Sequence, residues 1–238
     1  MEMAQAVFWA ALGTLFTFTM TALGAAAVFF VTGHARQQRG MLGFAAGVMT
    51  ASAVWSLLMP AIGRAEELGL PPWLPAAAGT VAGALFLAGM ERLVEGWSGG
   101  LLMTAITLHN IPEGMAVGLA FALAAGGEGL PGAVALALGV GIQNFPEGAA
   151  VSLSQEGSRR RAFGMGVLSG AVEPVFGVLV VLWAAAAAPL MPWLLSFAAG
   201  AMLYVVAEEL IPQAHGRGGT CGYFVGFVVM MVMDVALG

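Results

Sequence analysis

The chain has 238 residues, 60% of them hydrophobic and only 9% charged, with a formal net charge of −5 and a mean hydropathy of +0.91. Soluble domains carry about 25% charged residues, so this composition describes an all-α integral membrane protein and gives no reason to expect a nucleic-acid partner. The single cysteine, Cys221, excludes an intramolecular disulfide and a thiolate cluster, and the absence of lysine excludes a Schiff-base cofactor.

The opening residues, Met1-Glu2-Met3-Ala4-Gln5, lack the positive region of a secretory signal, so the first apolar run is expected to be a retained helix. A spanning helix needs about 20 mainly apolar residues. Breaks at Gly, Pro and charge clusters divide the chain into runs near 5–33, 41–63, 70–90, 100–125, 130–155, 162–188, 191–213 and 218–237. Eight transmembrane helices with short connections leave no room for a soluble domain, so residues 1–238 are expected to form one transmembrane domain. The loops at 34–40, 91–99, 156–161 and 214–217 hold Arg36, Arg39, Arg92, Arg159, Arg160, Arg161 and Arg217, and only Arg64 lies on the other side. Basic loops face the cytoplasm, which predicts extracytoplasmic termini and a multi-pass protein of the cell (inner) membrane, embedded in its lipid bilayer.

Within the runs, Gly43 and Gly47 of the second and Gly164, Gly166 and Gly170 of the sixth are expected to be packing faces, because small residues let membrane helices approach closely. Trp55, Trp73, Trp97, Trp183 and Trp193 lie near the ends of runs, where interfacial anchors belong. Met230, Met231 and Met233 read as apolar lining.

The ionisable residues inside the runs are His109, Glu113, Glu147, Glu173, Glu208, Glu209 and Asp234. A charge kept at the bilayer centre costs about 2.5 kcal/mol or more, so each is a functional candidate. Asp234 is most simply explained as reaching the outer interface. Glu208 and Glu209 suit either a solvated helix end or a relay with His215. Glu113, Glu147 and Glu173 are different, because they lie on neighbouring runs beside further polar groups. His109-Asn110-Ile111-Pro112-Glu113-Gly114 in the fourth run is echoed by Gln143-Asn144-Phe145-Pro146-Glu147-Gly148 in the fifth. On a helix His109 and Glu113, and likewise Gln143 and Glu147, are i and i+4 and share a face. Pro112 and Pro146 cannot donate to the helix ladder, which leaves the carbonyls of Leu108 and Ile142 free and predicts two kinked helices around a polar pocket at mid-membrane.

Imidazole, carboxylate and amide ligands without thiolate suit Zn²⁺, Fe²⁺, Mn²⁺ or Co²⁺, and a histidine argues against Ca²⁺ and Mg²⁺. Such ligands bind when deprotonated, so metal and protons should compete. Three carboxylates compensate one divalent ion fully and a second in part.

The paired hexapeptides, with Glu173-Pro174 in the sixth run, Glu208-Glu209-Leu210-Ile211-Pro212 and His215 in the seventh, and Gly47-Val48-Met49 in the second, resemble the ZIP (Zrt/Irt-like) metal-ion transporters, within them the prokaryotic GufA-like and ZupT-like branch. The resemblance covers essentially the whole chain. It implies a binuclear centre bridged by Glu113 and Glu147, with His109 and Gln143, joined by Met49, completing one metal's shell and Asn110, Asn144 and Glu173 serving the other. Glu209 and His215 would lie on an exit path. It also implies a homodimer that moves Zn²⁺ first, and Fe²⁺, Mn²⁺, Co²⁺ or Cd²⁺ as alternatives, into the cytoplasm by an elevator-like movement of spans 1, 4, 5 and 6 against spans 2, 3, 7 and 8. The metal is the transported substrate, and no prosthetic group is expected. Asn144 stands where some relatives carry Asp, which lowers the charge of the second position. The loop between the third and fourth runs has no histidines, so regulation through it is not expected.

A membrane metalloprotease is disfavoured, since His109 is followed by Asn110 rather than Glu and no other histidine lies within a run; no enzymatic activity is expected. A proton-coupled carrier of an organic solute, using Glu113, Glu147 and Glu173 as a relay, is the competing function.

Overall fold

The computed structural model describes residues 3–30, 35–95, 101–124, 129–155, 158–186 and 188–237, which among them contain helices and short turns but no strand. Helix α1 (Met3–Ala25) runs into a 3-10 turn, Ala26–Phe29. Helix α2 (Ala35–Ser52) passes through a π turn (Ala53–Leu58) into α3 (Met59–Glu67), and α4 spans Trp73–Glu95. The motif helices are α5 (Leu101–Ala124) and α6 (Leu130–Ser154). Helices α7 (Arg159–Gly170) and α8 (Val172–Ala186) follow, then α9 (Met191–Val205), a π turn (Val206–Leu210), the single turn α10 (Ile211–Gln213), and α11 (Arg217–Leu237). Among the described residues six stretches are long and apolar enough to cross a membrane: Met3–Phe29, Arg39–Glu67, Trp73–Leu93, Arg159–Trp183, Met191–Gln213 and Arg217–Ala236.

Prolines explain the irregular points. Pro60 and Pro212 follow the two π turns, where a continuous α-helix would drive the ring into the carbonyl of Ser56 or Glu208 four residues earlier; the wider turn relieves that clash. The sixth run, expected as one helix over 162–188, is two helices parted at Ala171. Pro174 withdraws the N–H that would have bonded Gly170 and disfavours helical backbone at Glu173. At Pro112 and Pro146, in contrast, helical structure continues through the proline.

Two groups of helices emerge from the packing. Helix α1 lies against α5, α6, α7 and α8, and α5 against α8; on the other side α2 pairs with α11, and α4 with α9. The groups meet where α6 crosses α2 and α5 crosses α9. Side chains alone do not hold the pairs together, because at several crossings backbone touches backbone. A Cβ added at Gly47 would lie 2.0 Å from the Tyr223 carbonyl, and one at Gly43 2.1 Å from that of Gly219. Gly166 and Gly170 are likewise packed, whereas Gly164 faces open space and is no packing residue.

Trp73 and Trp183 are exposed, as interfacial anchors are. Trp55 differs from the expectation: it turns inward, edge-on to Phe227 with ring centroids 5.6 Å apart, because the π turn that carries it rotates its side chain toward α11. Trp97 lies outside the described residues.

Replacing Gly47 with Ala should therefore force α2 and α11 apart and lower stability by about 2 kcal/mol. Gly89→Ala, at a glycine with nothing within 4 Å, should leave stability unchanged or slightly raised; thermal unfolding of the purified protein in detergent compares the two.

Candidate metal centre

Each hexapeptide places its polar residues on a helix that is otherwise apolar and tightly packed. Asn110, Glu113, Gln143, Asn144 and Glu147 are all buried, Glu113 and Gln143 completely. The side chain of His109 lies outside the described residues, although its backbone is part of α5.

Two amide–carboxylate pairs link the helices. Gln143 Nε2 donates to Glu113 Oε1 at 2.8 Å, joining α6 to α5. Asn144 Nδ2 donates to Glu173 Oε2 at 3.0 Å, joining α6 to α8, and also lies 3.4 Å from the Thr17 carbonyl on α1. The carboxylates dictate these orientations, since the reverse amide rotamer would set oxygen against oxygen. With each NH₂ group turned to a carboxylate, each amide carbonyl points elsewhere. Gln143 Oε1, Asn144 Oδ1 and Glu113 Oε2 are buried with no hydrogen-bond partner among the described residues. A buried acceptor left unmatched costs about 1–3 kcal/mol. Three buried oxygens without a partner among the described residues are groups that a cation would satisfy.

The carboxylates do not by themselves form a cage: among the described residues no group of three or more His, Cys, Asp or Glu side chains is gathered closely enough to hold a metal. The interposed amides account for this, since Gln143 stands against Glu113 and Asn144 against Glu173.

Glu173 sits in the first turn of α8, two residues beyond the break at Ala171, and is fully buried. A broken helix at this depth is tolerated where its backbone is enclosed by protein, and broken helices in membrane carriers mark binding sites. The last residue of each hexapeptide explains how the centre closes around it. A Cβ on Gly114 would lie 2.4 Å from the Glu173 carbonyl, and one on Gly148 2.2 Å from the Thr21 carbonyl. Gly114 thus lets α5 rest on the backbone of Glu173, and Gly148 lets α6 rest on that of α1.

Helix α1 contributes residues that the sequence pattern did not bring forward. Thr14, Thr17 and Thr21 are buried, and Thr21 Oγ1 lies 3.1 Å from Glu173 Oε1. Their spacing of three and four residues along one face of an apolar helix was the available signal.

The remaining candidates make no recorded hydrogen bond to these pairs among the described residues. Met49 is fully buried in the apolar core on α2, a helix that packs on α6. Glu209 is half-buried on the second π turn. His215 is exposed and lines a cavity of about 270 Å³ with Gly43, Ile211 and Tyr223. Asp234, expected at a solvated interface, is instead buried and accepts a hydrogen bond from Ser56. The inward face of α11 carries it to the wall of a cavity of about 350 Å³ shared with Trp55, Ala120, Leu123 and Ala133.

A family model described as ZIP Zinc transporter matches residues 98–234, more than half of the chain. The chain is 39% identical to zinc transporter GufA of Myxococcus xanthus, over 92% of this chain and 95% of that one. It is 36% identical to zinc transporter ZIPB of Bordetella bronchiseptica, over 98% and 82%, and 36% identical to human zinc transporter ZIP11, over 98% of both. With relatives this similar over nearly its full length, and with both hexapeptides inside the matched region, the chain belongs to the ZIP zinc transporter family.

Proposed function

We propose that this protein carries divalent transition-metal ions across a membrane, Zn²⁺ first among them, through a centre built between α5, α6 and α8. The observation that carries this reading is the set of buried oxygens on Glu113, Gln143 and Asn144 that have no hydrogen-bond partner among the described residues. Family membership and relatives named as zinc transporters support the choice of metal. Glu113 and Glu147 bridge two positions; His109, Gln143 and Met49 complete one, and Asn110, Asn144 and Glu173 the other. Fe²⁺, Mn²⁺, Co²⁺ and Cd²⁺ suit the same N/O donors.

Residues 1–238 form a single domain of eight spans with both termini outside, in the cell inner membrane, and the chain works as a homodimer. In that orientation the cavity under Asp234 opens to the outside. Ala120 on its wall lies about 10 Å along α5 from Glu113, at 1.5 Å per residue. An ion drawn toward a carboxylate there has a short way to the centre. Uptake then follows by alternating access, with Glu209 and His215 on the cytoplasmic way out.

In proteoliposomes, zinc uptake should fall to background in the His109→Ala/Glu147→Ala double variant. Uptake that persists in a folded double variant refutes the assigned centre. Because the ligands bind metal when deprotonated, lowering the external pH at subsaturating zinc should slow uptake, and raising zinc should restore it. Zinc at about a hundred times its dissociation constant should stabilise the purified protein by about 2.7 kcal/mol, seen as a rise in Tm. Glu113→Gln/Glu173→Gln should abolish that rise. Stabilisation by an organic solute with metal excluded would point to the proton-coupled carrier instead.

A further inference from the structure

Both oxygens of the Glu173 carboxylate are held, and by different helices. Oε2 accepts from Asn144 on α6 at 3.0 Å, and Oε1 lies 3.1 Å from the hydroxyl of Thr21 on α1. Two donors on two oxygens fix the plane of a carboxylate, whereas one leaves it free to swing about that contact. Each oxygen keeps a second lone pair, so the carboxylate remains able to bind a cation while held. Thr21 therefore does for Glu173 what residues behind metal ligands generally do, orienting the donor without touching the ion.

The surroundings of Thr21 indicate that this contact is built in. Thr21 is 3% exposed. Its backbone carbonyl receives α6 at Gly148, its methyl group faces Gly170 just before the helix break, and a Cβ on Gly170 would come within 2.9 Å of Thr21 Cγ2 and 3.2 Å of Glu173 Oε1. A Cβ at either glycine would press on Thr21, and one at Gly170 on Glu173 Oε1 as well. The hydroxyl has one hydrogen and two acceptors within reach, Glu173 Oε1 at 3.1 Å and the Thr17 carbonyl at 3.2 Å. A charged carboxylate is the stronger acceptor of the two, so the hydrogen goes to Glu173 when that group is ionised, the state that binds metal.

We propose that Thr21 on α1 is a positioning residue for the metal centre: its hydroxyl, with Asn144, orients the Glu173 carboxylate toward the second metal position. This rests on the metal centre proposed above. Among the described residues Thr21 hydrogen-bonds Glu173 and the Thr17 carbonyl and neither member of the Gln143–Glu113 pair, so the effect is expected on the Glu173 side.

Thr21→Val keeps the shape of the side chain and removes the hydroxyl, and Thr21→Ser keeps the hydroxyl and removes the methyl group. Zinc binding to the purified full-length protein, measured by titration with the metal alone, should weaken about tenfold in Thr21→Val and return to within about threefold of the parent in Thr21→Ser. In a Glu173→Gln background, Thr21→Val should change affinity by less than about twofold, since the group it orients is no longer a carboxylate. Undiminished affinity in Thr21→Val, equal losses in the Val and Ser variants, or the same loss with and without Glu173 would each overturn the assignment, the last two by reducing Thr21 to a packing residue. A parent protein that binds no zinc at all would refute the metal centre itself, and is thereby distinguished from failure of Thr21 alone.

Discussion

Everything in this molecule answers to the cost of placing carboxylates among closely packed apolar helices. Glu113 and Glu173 are completely buried, and Glu147 nearly so. An anion there needs donors or a counter-ion, because burial strips the hydration it has in water. The described residues give an amide donor to each of the two completely buried carboxylates, and threonine hydroxyls of α1 besides at Glu173. Among the described residues Glu113 Oε2, Gln143 Oε1 and Asn144 Oδ1 still lack a partner. A metal centre of the kind proposed here gains from being incomplete until the ion arrives.

The same constraint gives the glycines their meaning. The amide-to-carboxylate contacts join α6 to α5 and to α8, while the glycines close the crossings beside them, Gly114 between α5 and α8 and Gly148 between α6 and α1. The hexapeptides therefore combine two kinds of information. Their polar residues supply the donors and acceptors, and their final glycine lets the surrounding helices close on the same region. At the other crossings, between α2 and α11 and between α4 and α9, glycines likewise let backbone approach backbone, away from the hexapeptides.

Much of the helical layout could be read from hydropathy, since apolar runs and their breaks are properties of local sequence. The polar pairs on α5 and α6 were legible for a related reason: repetition of a hexapeptide within apolar runs is hard to explain by packing. Three features were not legible. The break at Ala171 depends on one proline, Pro174, in a run whose hydropathy is continuous. The burial of Asp234 depends on which way α11 faces and on Ser56, 178 residues away, which no local pattern encodes. Thr21 was hidden by its ordinary character, because a threonine on a membrane helix usually bonds its own backbone, as Thr14 and Thr19 do. Only the fold shows that Thr21 also meets Glu173.

The backbone contacts at Gly114 and Gly148 bear on how such a centre can work. Helices that touch main chain to main chain leave no slack for one donor to withdraw while its neighbours stay in place. The polar groups carried by these helices are therefore placed by main chain as well as by side chain, so that a change as small as one methyl group at either glycine would displace groups on two helices together.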